Sequence, residues 1–196
     1  MRNKLANKLI ATIEKDIVPL TQAGVVLGNK VFGSAILNKN DLSLVIAGTN
    51  NEQENPLWHG EVLTLKLFYE IPESIRPDTK DCVFLATHEP CSLCLSAITW
   101  TGFDNFYYLF KYEDTSKSFN IPHDLKILQE VFAIENGQYV RENAFWKSHS
   151  ITDMIANLPA AESAPLVKRV VAVEETYAEM SATYQATKKT TNIPLA

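Results

Sequence analysis

The sequence predicts an α/β protein with a three-layer α/β/α architecture, in which helices cover both faces of a sheet of about five mixed strands. After an initial helix and a hairpin, helix-like and strand-like segments alternate, as is typical of such a sheet. The 196 residues suffice for one sizeable core. Hydrophobic residues make up 46% and charged residues 21% of the chain, which is ordinary for a globular protein.

The first predicted elements are a helix and a hairpin. Residues 3–18 place four apolar side chains on one helical stripe: Leu5, Leu9, Ile13 and Ile17. Pro19 is expected to end this helix. Two strand-like runs follow at 33–37 and 42–47, and the residues between them favour a turn. We therefore expect an antiparallel pair.

The central region alternates between helices and strands. The pattern predicts a loop over 48–56, a helix over 60–70, a buried strand over 82–86, a helix over 91–101, a strand over 106–110 and a helix over 122–132. His59 and Glu61 thus lie at the start of one helix, and Cys91 and Cys94 at the start of another.

No strand pattern is found after residue 140. Six side chains spaced by four and three residues instead predict one long amphipathic helix: Leu166, Val170, Val173, Tyr177, Met180 and Tyr184. The helix either packs back on its own domain or contributes to a subunit interface. We expect a first domain over 1–140 and a helical C-terminal extension over 141–196.

Charge and composition indicate which kind of molecule the protein binds and where in the cell it is found. The net charge is −5 and the pI about 5.4, so a small neutral molecule is favoured over nucleic acid. No apolar stretch reaches the ~20 residues needed to span a bilayer, and residues 1–19 do not resemble a secretion signal. Three cysteines are few for a secreted protein of this size, which favours a cytoplasmic location.

Two short motifs carry the chemistry. His59-Gly60-Glu61 is followed by His88-Glu89-Pro90-Cys91-Ser92-Leu93-Cys94. One imidazole and two thiolates supply three ligands, and a catalytic zinc ion, Zn²⁺, takes three with a fourth position left open to water. Glu61, two residues after a ligand, is placed to carry protons without binding the metal. The helix start around Cys91 and Cys94 favours thiolates.

The two halves are informative only together. In this order they match the zinc-deaminase signature H-x-E…P-C-x-x-C, whereas either alone also fits a structural zinc site or a redox pair. His88 is near enough to be a fourth ligand, but a fourth side chain would displace the reactive water, so we favour a hydrogen-bonding or packing role. Cys82 is predicted to be a buried apolar side chain. His123 and His149 are expected at the surface.

On these motifs the chain resembles the cytidine deaminase-like superfamily, in the branch of guanine deaminase, cytosine deaminase and tRNA-adenosine deaminase. The similarity extends from about Phe32 to Phe132, and includes Phe32-Gly33-Ser34-Ala35, Gly48-Thr49-Asn50-Asn51, the segment from Cys94 to Trp100, and Tyr107-Tyr108. The resemblance implies that Asn50 or Asn51 binds the substrate ring and that Trp100 stacks on it.

Two departures bear on the substrate. Gly60 stands between ligand and acid, as in fungal cytosine deaminase, and Ser118-Phe119-Asn120-Ile121 replaces the G-F-D-D of guanine deaminases. The resemblance implies a zinc-dependent hydrolytic deaminase of a free nucleobase or a closely related small heterocycle, guanine-like or cytosine-like, acting as a homodimer. It also implies that residues 1–140 form the deaminase catalytic domain. The alternatives are a tRNA adenosine deaminase, against which the acidic charge argues, and a zinc-binding interaction module without turnover.

Overall fold

A computed structural model describes residues 2–117 and 121–196. The strands are β1 (Gly33–Asn38), β2 (Leu44–Thr49), β3 (Cys82–His88), β4 (Asn105–Phe110) and β5 (Lys147–Ser150). The helices are α1 (Arg2–Thr12), α2 (Val18–Val26), α3 (Gly60–Glu70), α4 (Ser92–Trp100), α5 (Tyr112–Lys117), α6 (His123–Phe132), α7 (Ile151–Ala156) and α8 (Ala160–Thr187). Ser118, Phe119 and Asn120, where the sequence departs from G-F-D-D, lie outside the described residues.

The five strands form one mixed sheet in the order β2-β1-β3-β4-β5. The β1 strand is antiparallel to β2 and β3, whereas β3, β4 and β5 are parallel. This confirms the predicted fold class. Every residue of β3 is buried, as expected of a central strand covered on both faces.

Helices on the two faces bury separate apolar cores. Alternate residues of β3 face opposite ways: Val83 and Leu85 belong to one core, Phe84 and Ala86 to the other. Side chains of α3 and α4 fill the second core, while α1, α2, α7 and α8 cover the first. Since α3 and α4 share a face, their starts can meet at one edge of the sheet.

The prediction that Pro19 ends the first helix is wrong. A π-helical turn, Ile13–Ile17, links α1 to α2, and the helical path continues to Val26 with Pro19 in the first turn of α2. A proline lacks the N–H needed for the α-helical ladder and its ring crowds the preceding turn. A π turn just before it interrupts that ladder already, so the chain stays helical.

A fifth strand, β5, follows residue 140, where the sequence predicted none. It pairs in parallel with β4 through Asn105–Lys147 and Tyr108–Ser150. Only Ser150 of its four residues is buried, so the strand has no apolar pattern to detect. The division into residues 1–140 and 141–196 stays a prediction, and the sheet crosses it.

The long helix α8 packs back on its own chain, which is the first of the two alternatives. Leu166, Val170 and Tyr177 enter the core shared with α1 and α2. Arg169 in α8 also forms a bidentate ion pair with Glu14, in which Nε and Nη2 lie 3.0 Å and 2.7 Å from the two carboxylate oxygens. Across the described residues, no helix has the length and apolar character required to cross a membrane.

Candidate metal centre and adjoining cavity

Two helix starts bring the predicted ligands together. His59 precedes α3 and Cys91 precedes α4, each with extended backbone, at φ −62°, ψ 155° and φ −64°, ψ 172°. At each of these residues the chain passes from an extended segment into a helix, and the two helices lie on the same face of the sheet. Cys94 lies in the first turn of α4, so its sulfur points back towards Cys91.

The three ligand atoms have the spacing of a tetrahedral zinc site. Nδ1 of His59 lies 3.4 Å from the Cys91 sulfur and 3.7 Å from the Cys94 sulfur, and the sulfurs are 3.5 Å apart. Zinc bonds of about 2.3 Å to sulfur and 2.0–2.1 Å to nitrogen, at tetrahedral angles, give about 3.8 Å between sulfurs and 3.6 Å from sulfur to nitrogen. The residues therefore fit zinc.

Glu61 lies beside these atoms in the first turn of α3. It is 5% exposed, and its Oε2 is 3.2 Å from the Cys94 sulfur. Burial raises the pKa of the Glu61 carboxyl to about 7, with a further contribution from the Cys91 thiolate. A carboxyl group with such a pKa both accepts and donates protons near neutral pH.

The site favours negative charge on one sulfur. Hydrogen bonding from Cys94 outweighs the effect of burial and holds the pKa of the Cys91 thiol well below its usual value, with His59 adding to it. Burial raises the pKa of Cys94. Burial also lowers the pKa of His59, but the Cys91 sulfur and the nearby carboxylates outweigh it and raise that pKa to about 9. A cation is thus strongly favoured among these groups.

Gly60 is required by a close approach of α3 to β1. A Cβ atom on Gly60 would lie 2.8 Å from the Phe32 carbonyl oxygen, 2.9 Å from the Gly33 Cα and 3.0 Å from the Gly33 nitrogen. All three atoms are backbone and cannot rotate away. Gly60, between His59 and Glu61, therefore allows the first turn of α3 to pack directly against the start of β1.

A cavity of about 260 Å³ opens beside His59 and Cys91. Its walls are mainly apolar, with contributions from Phe32, Leu57 and Leu93, and from Ile193 to Leu195. A few polar groups interrupt these walls: Lys30, Glu52, Ser92, His123 and Asp124. His123, expected at the surface, is half-buried here.

Sequence reasoning missed the charged groups of the cavity. Lys30 and Glu52 are 6% and 2% exposed and pair at 2.8 Å. Asp124 in α6 is half-buried, and burial raises its pKa well above the usual value. These residues belong to no motif and are far apart in the chain, so the fold alone reveals them.

The structure does not bring the predicted ring-binding residues into the cavity. Asn50 is 1% exposed; its Nδ2 donates to Glu52 Oε2 at 2.7 Å and its Oδ1 accepts from the Gly60 N–H. Asn51 is half-buried and donates to Glu54 Oε2 at 2.6 Å. Trp100 ends α4 with 89% of its side chain exposed. None of the three lines the cavity.

His88 packs beneath the site rather than joining the ligand group. It is 2% exposed, its Nδ1 is 2.9 Å from Thr87 Oγ1, and its ring contacts Phe32 and Phe110. Burial lowers its pKa to about 3. This placement agrees with the hydrogen-bonding and packing role predicted above. Cys82 is fully buried.

The known proteins that this chain resembles are deaminases. The family model for the cytidine and deoxycytidylate deaminase zinc-binding region matches residues 18–110. Guanine deaminase of Bacillus subtilis is 28% identical over 110 residues, which are 55% of this chain and 68% of that protein. A probable cytosine deaminase of Schizosaccharomyces pombe is 30% identical over 95 residues, 45% of this chain and 56% of that protein.

Solved structures resemble the fold. The structure of guanine deaminase from Bacillus subtilis has a TM-score of 0.52 at 25% identity, covering 66% of this chain and 85% of that chain. A mutant protein in complex with 8-azaguanine has a TM-score of 0.55 at 15% identity, covering 91% and 84%. At that identity the second likeness concerns the fold alone.

Proposed function

Because the chain belongs to the cytidine deaminase-like superfamily and is a hydrolytic deaminase, we propose that it uses zinc to deaminate a free nucleobase or a closely related small heterocycle, guanine-like or cytosine-like, with release of ammonia. The observation that carries the proposal is the group formed by His59, Cys91 and Cys94 with the buried Glu61 carboxyl at 3.2 Å from one sulfur.

His59, Cys91 and Cys94 would hold the metal. Zinc bound there supplies the Lewis acidity that makes water nucleophilic at neutral pH. Glu61 takes a proton from the attacking water on a carboxylate oxygen and delivers it to the ring nitrogen. It then carries the second proton to the departing amine, which leaves as ammonia. A pKa of about 7 suits both transfers.

The cavity supports a small planar substrate. A volume of about 260 Å³ is near the lower end of small-molecule pockets, roughly 300–1,000 Å³. Phe32 and Leu57 offer apolar contact to the faces of a ring. The carboxyl group of Asp124 offers the ring a hydrogen-bond partner, and such polar pairing discriminates strongly between bases. The guanine and cytosine deaminases among the relatives act on rings of this kind.

The proposal is tested by measuring ammonia release from the zinc-loaded protein with guanine, cytosine, adenine and their nucleosides. We expect turnover with at least one free base. Glu61→Gln should keep one zinc per chain and lose ammonia release. Glu70→Gln is the matched control, because Glu70 is on the same helix, 56% exposed and paired with Lys66. Inert wild-type protein with zinc bound would overturn the proposal.

A homodimer in the cytoplasm is part of the same proposal. Leu93 and Trp100, at the two ends of α4, expose apolar side chains to 37% and 89%. Exposed aromatic side chains of this size are enriched in subunit interfaces. The three cysteines are free, as a reducing compartment requires. Sedimentation velocity of the wild type tests the dimer.

A further inference from the structure

A buried carboxylate faces the far side of the predicted ligand His59. Its imidazole directs Nδ1 towards the two sulfurs, at 3.4 Å and 3.7 Å. The other ring nitrogen, Nε2, lies 3.7 Å from Oε1 of Glu52. The Glu52 side chain is only 2% exposed. The imidazole therefore lies between the two cysteine sulfurs on one side and the buried carboxyl group of Glu52 on the other.

We propose that Glu52 is a positioning residue for the metal site, held in place by Lys30, and that it sets the orientation and proton placement of His59. The inference rests on the proposed zinc site. Ligand histidines commonly direct their second ring nitrogen to a carboxylate, which fixes the tautomer and raises the affinity for the metal. At 3.7 Å the contact is electrostatic rather than a hydrogen bond. It favours the proton on Nε2 and leaves the Nδ1 lone pair for the metal.

Both oxygens of Glu52 are held. Lys30 Nζ donates to Oε1 at 2.8 Å and Asn50 Nδ2 donates to Oε2 at 2.7 Å. An unpaired carboxylate at this depth would be costly to bury. The ammonium group of Lys30, 2.8 Å from Oε1, offsets part of that cost.

Asn50 extends this network to the catalytic turn. While its amide nitrogen binds Glu52, its carbonyl oxygen accepts from the Gly60 N–H, between His59 and Glu61. The loop is held again by the Asn51 N–H, which donates to the Trp58 carbonyl at 2.8 Å. Lys30, Glu52 and Asn50 therefore fix the ligand and the start of α3 together, which gives Asn50 a role other than contact with the ring.

The test compares zinc affinity in Glu52→Gln with the wild type, by competition against a chromophoric chelator. We expect Glu52→Gln to bind zinc about 10- to 100-fold more weakly. The thermal midpoint of the zinc-free variant should fall as well, because Lys30 is left buried without its partner. With Co²⁺ in the site, the thiolate charge-transfer bands should remain and the d–d bands should shift, because only the imidazole is altered. Glu54→Gln, an exposed glutamate of the same loop, should match the wild type.

A double variant distinguishes a loss of zinc affinity from misfolding of Glu52→Gln. Lys30→Met combined with Glu52→Gln removes the buried pair without leaving a lone charge, so it should fold and should keep the weakened zinc binding. Wild-type affinity and wild-type d–d bands in both variants would overturn the inference while leaving the zinc site intact. A wild-type protein that binds no zinc would instead overturn the proposed function.

Discussion

Replacing Gly60 with alanine tests whether the close packing of α3 on β1 sets the geometry of the site. The added Cβ would be 2.9 Å from the Gly33 Cα, about 0.6 Å inside the optimum separation of about 3.5 Å between carbon atoms. Overpacking of this kind costs about 1–3 kcal/mol. At the middle of that range, a gain in helix propensity of at most about 1 kcal/mol leaves an expected net loss of about 1–2 kcal/mol.

Gly60→Ala should lose activity as well as stability. Relief of the clash moves the backbone of α3, and His59 and Glu61 flank the substituted residue. Because a displacement of 1 Å in an active site can cost about 100-fold in rate, we expect ammonia release by Gly60→Ala to fall by about 10-fold or more.

Urea unfolding and the ammonia assay measure the two effects. Gly24→Ala in α2 is the matched control, since its Cβ would meet no atom closer than 3.5 Å; we expect it to be stabilised by about 0.5–1 kcal/mol. A Gly60→Ala protein as stable and as active as the wild type would refute the packing argument. Equal destabilisation of both variants would refute it as well.

Three further perturbations have defined outcomes. Glu61→Gln should retain zinc, by metal analysis, and lose ammonia release; retained activity would remove Glu61 from the mechanism. Burial lowers the pKa of His88 from 6.5 to about 3 in the folded protein, so the folded state binds fewer protons than the unfolded state. The contribution of His88 to the free energy of unfolding is therefore fully present above pH 6.5 and is lost as the pH falls towards 3. At about 1.4 kcal/mol per pH unit, the free energy of unfolding of the zinc-loaded wild type should fall by about 2 kcal/mol more than that of His88→Phe between pH 6.5 and 5. Parallel profiles of unfolding free energy against pH for the two proteins would contradict this. Trp100→Glu should convert the proposed dimer to monomer in sedimentation velocity, whereas an unchanged sedimentation coefficient would separate Trp100 from the interface.

The sequence was sufficient for the parts of the fold that local pattern determines. The bounds of α3 match the prediction, because Gly60 to Glu70 is a run of helix formers closed by Pro72. Short-range spacing likewise identified the residues that meet at the candidate metal centre. The helix beyond Pro19 was missed because the π turn that tolerates the proline has no sequence signature.

The missed parts depend on contacts between distant segments. Lys30 and Glu52 are 22 residues apart, and nothing near either one indicates that both are buried. Asn50 is chemically suited to bind a base, and only its hydrogen bonds to Glu52 and Gly60 show that its amide is engaged within the chain. The short strand β5 is half-exposed, so its register depends on β4 rather than on its own side chains.

One wall of the cavity comes from residues far along the chain from the metal-binding motifs. Ile193, Pro194 and Leu195 line it, whereas the proposed ligands and proton carrier all fall between residues 59 and 94. The size and shape of this part of the cavity can therefore be altered without substituting a reacting group. Changes at these three positions would reshape the cavity while leaving the proposed ligands and Glu61 in place.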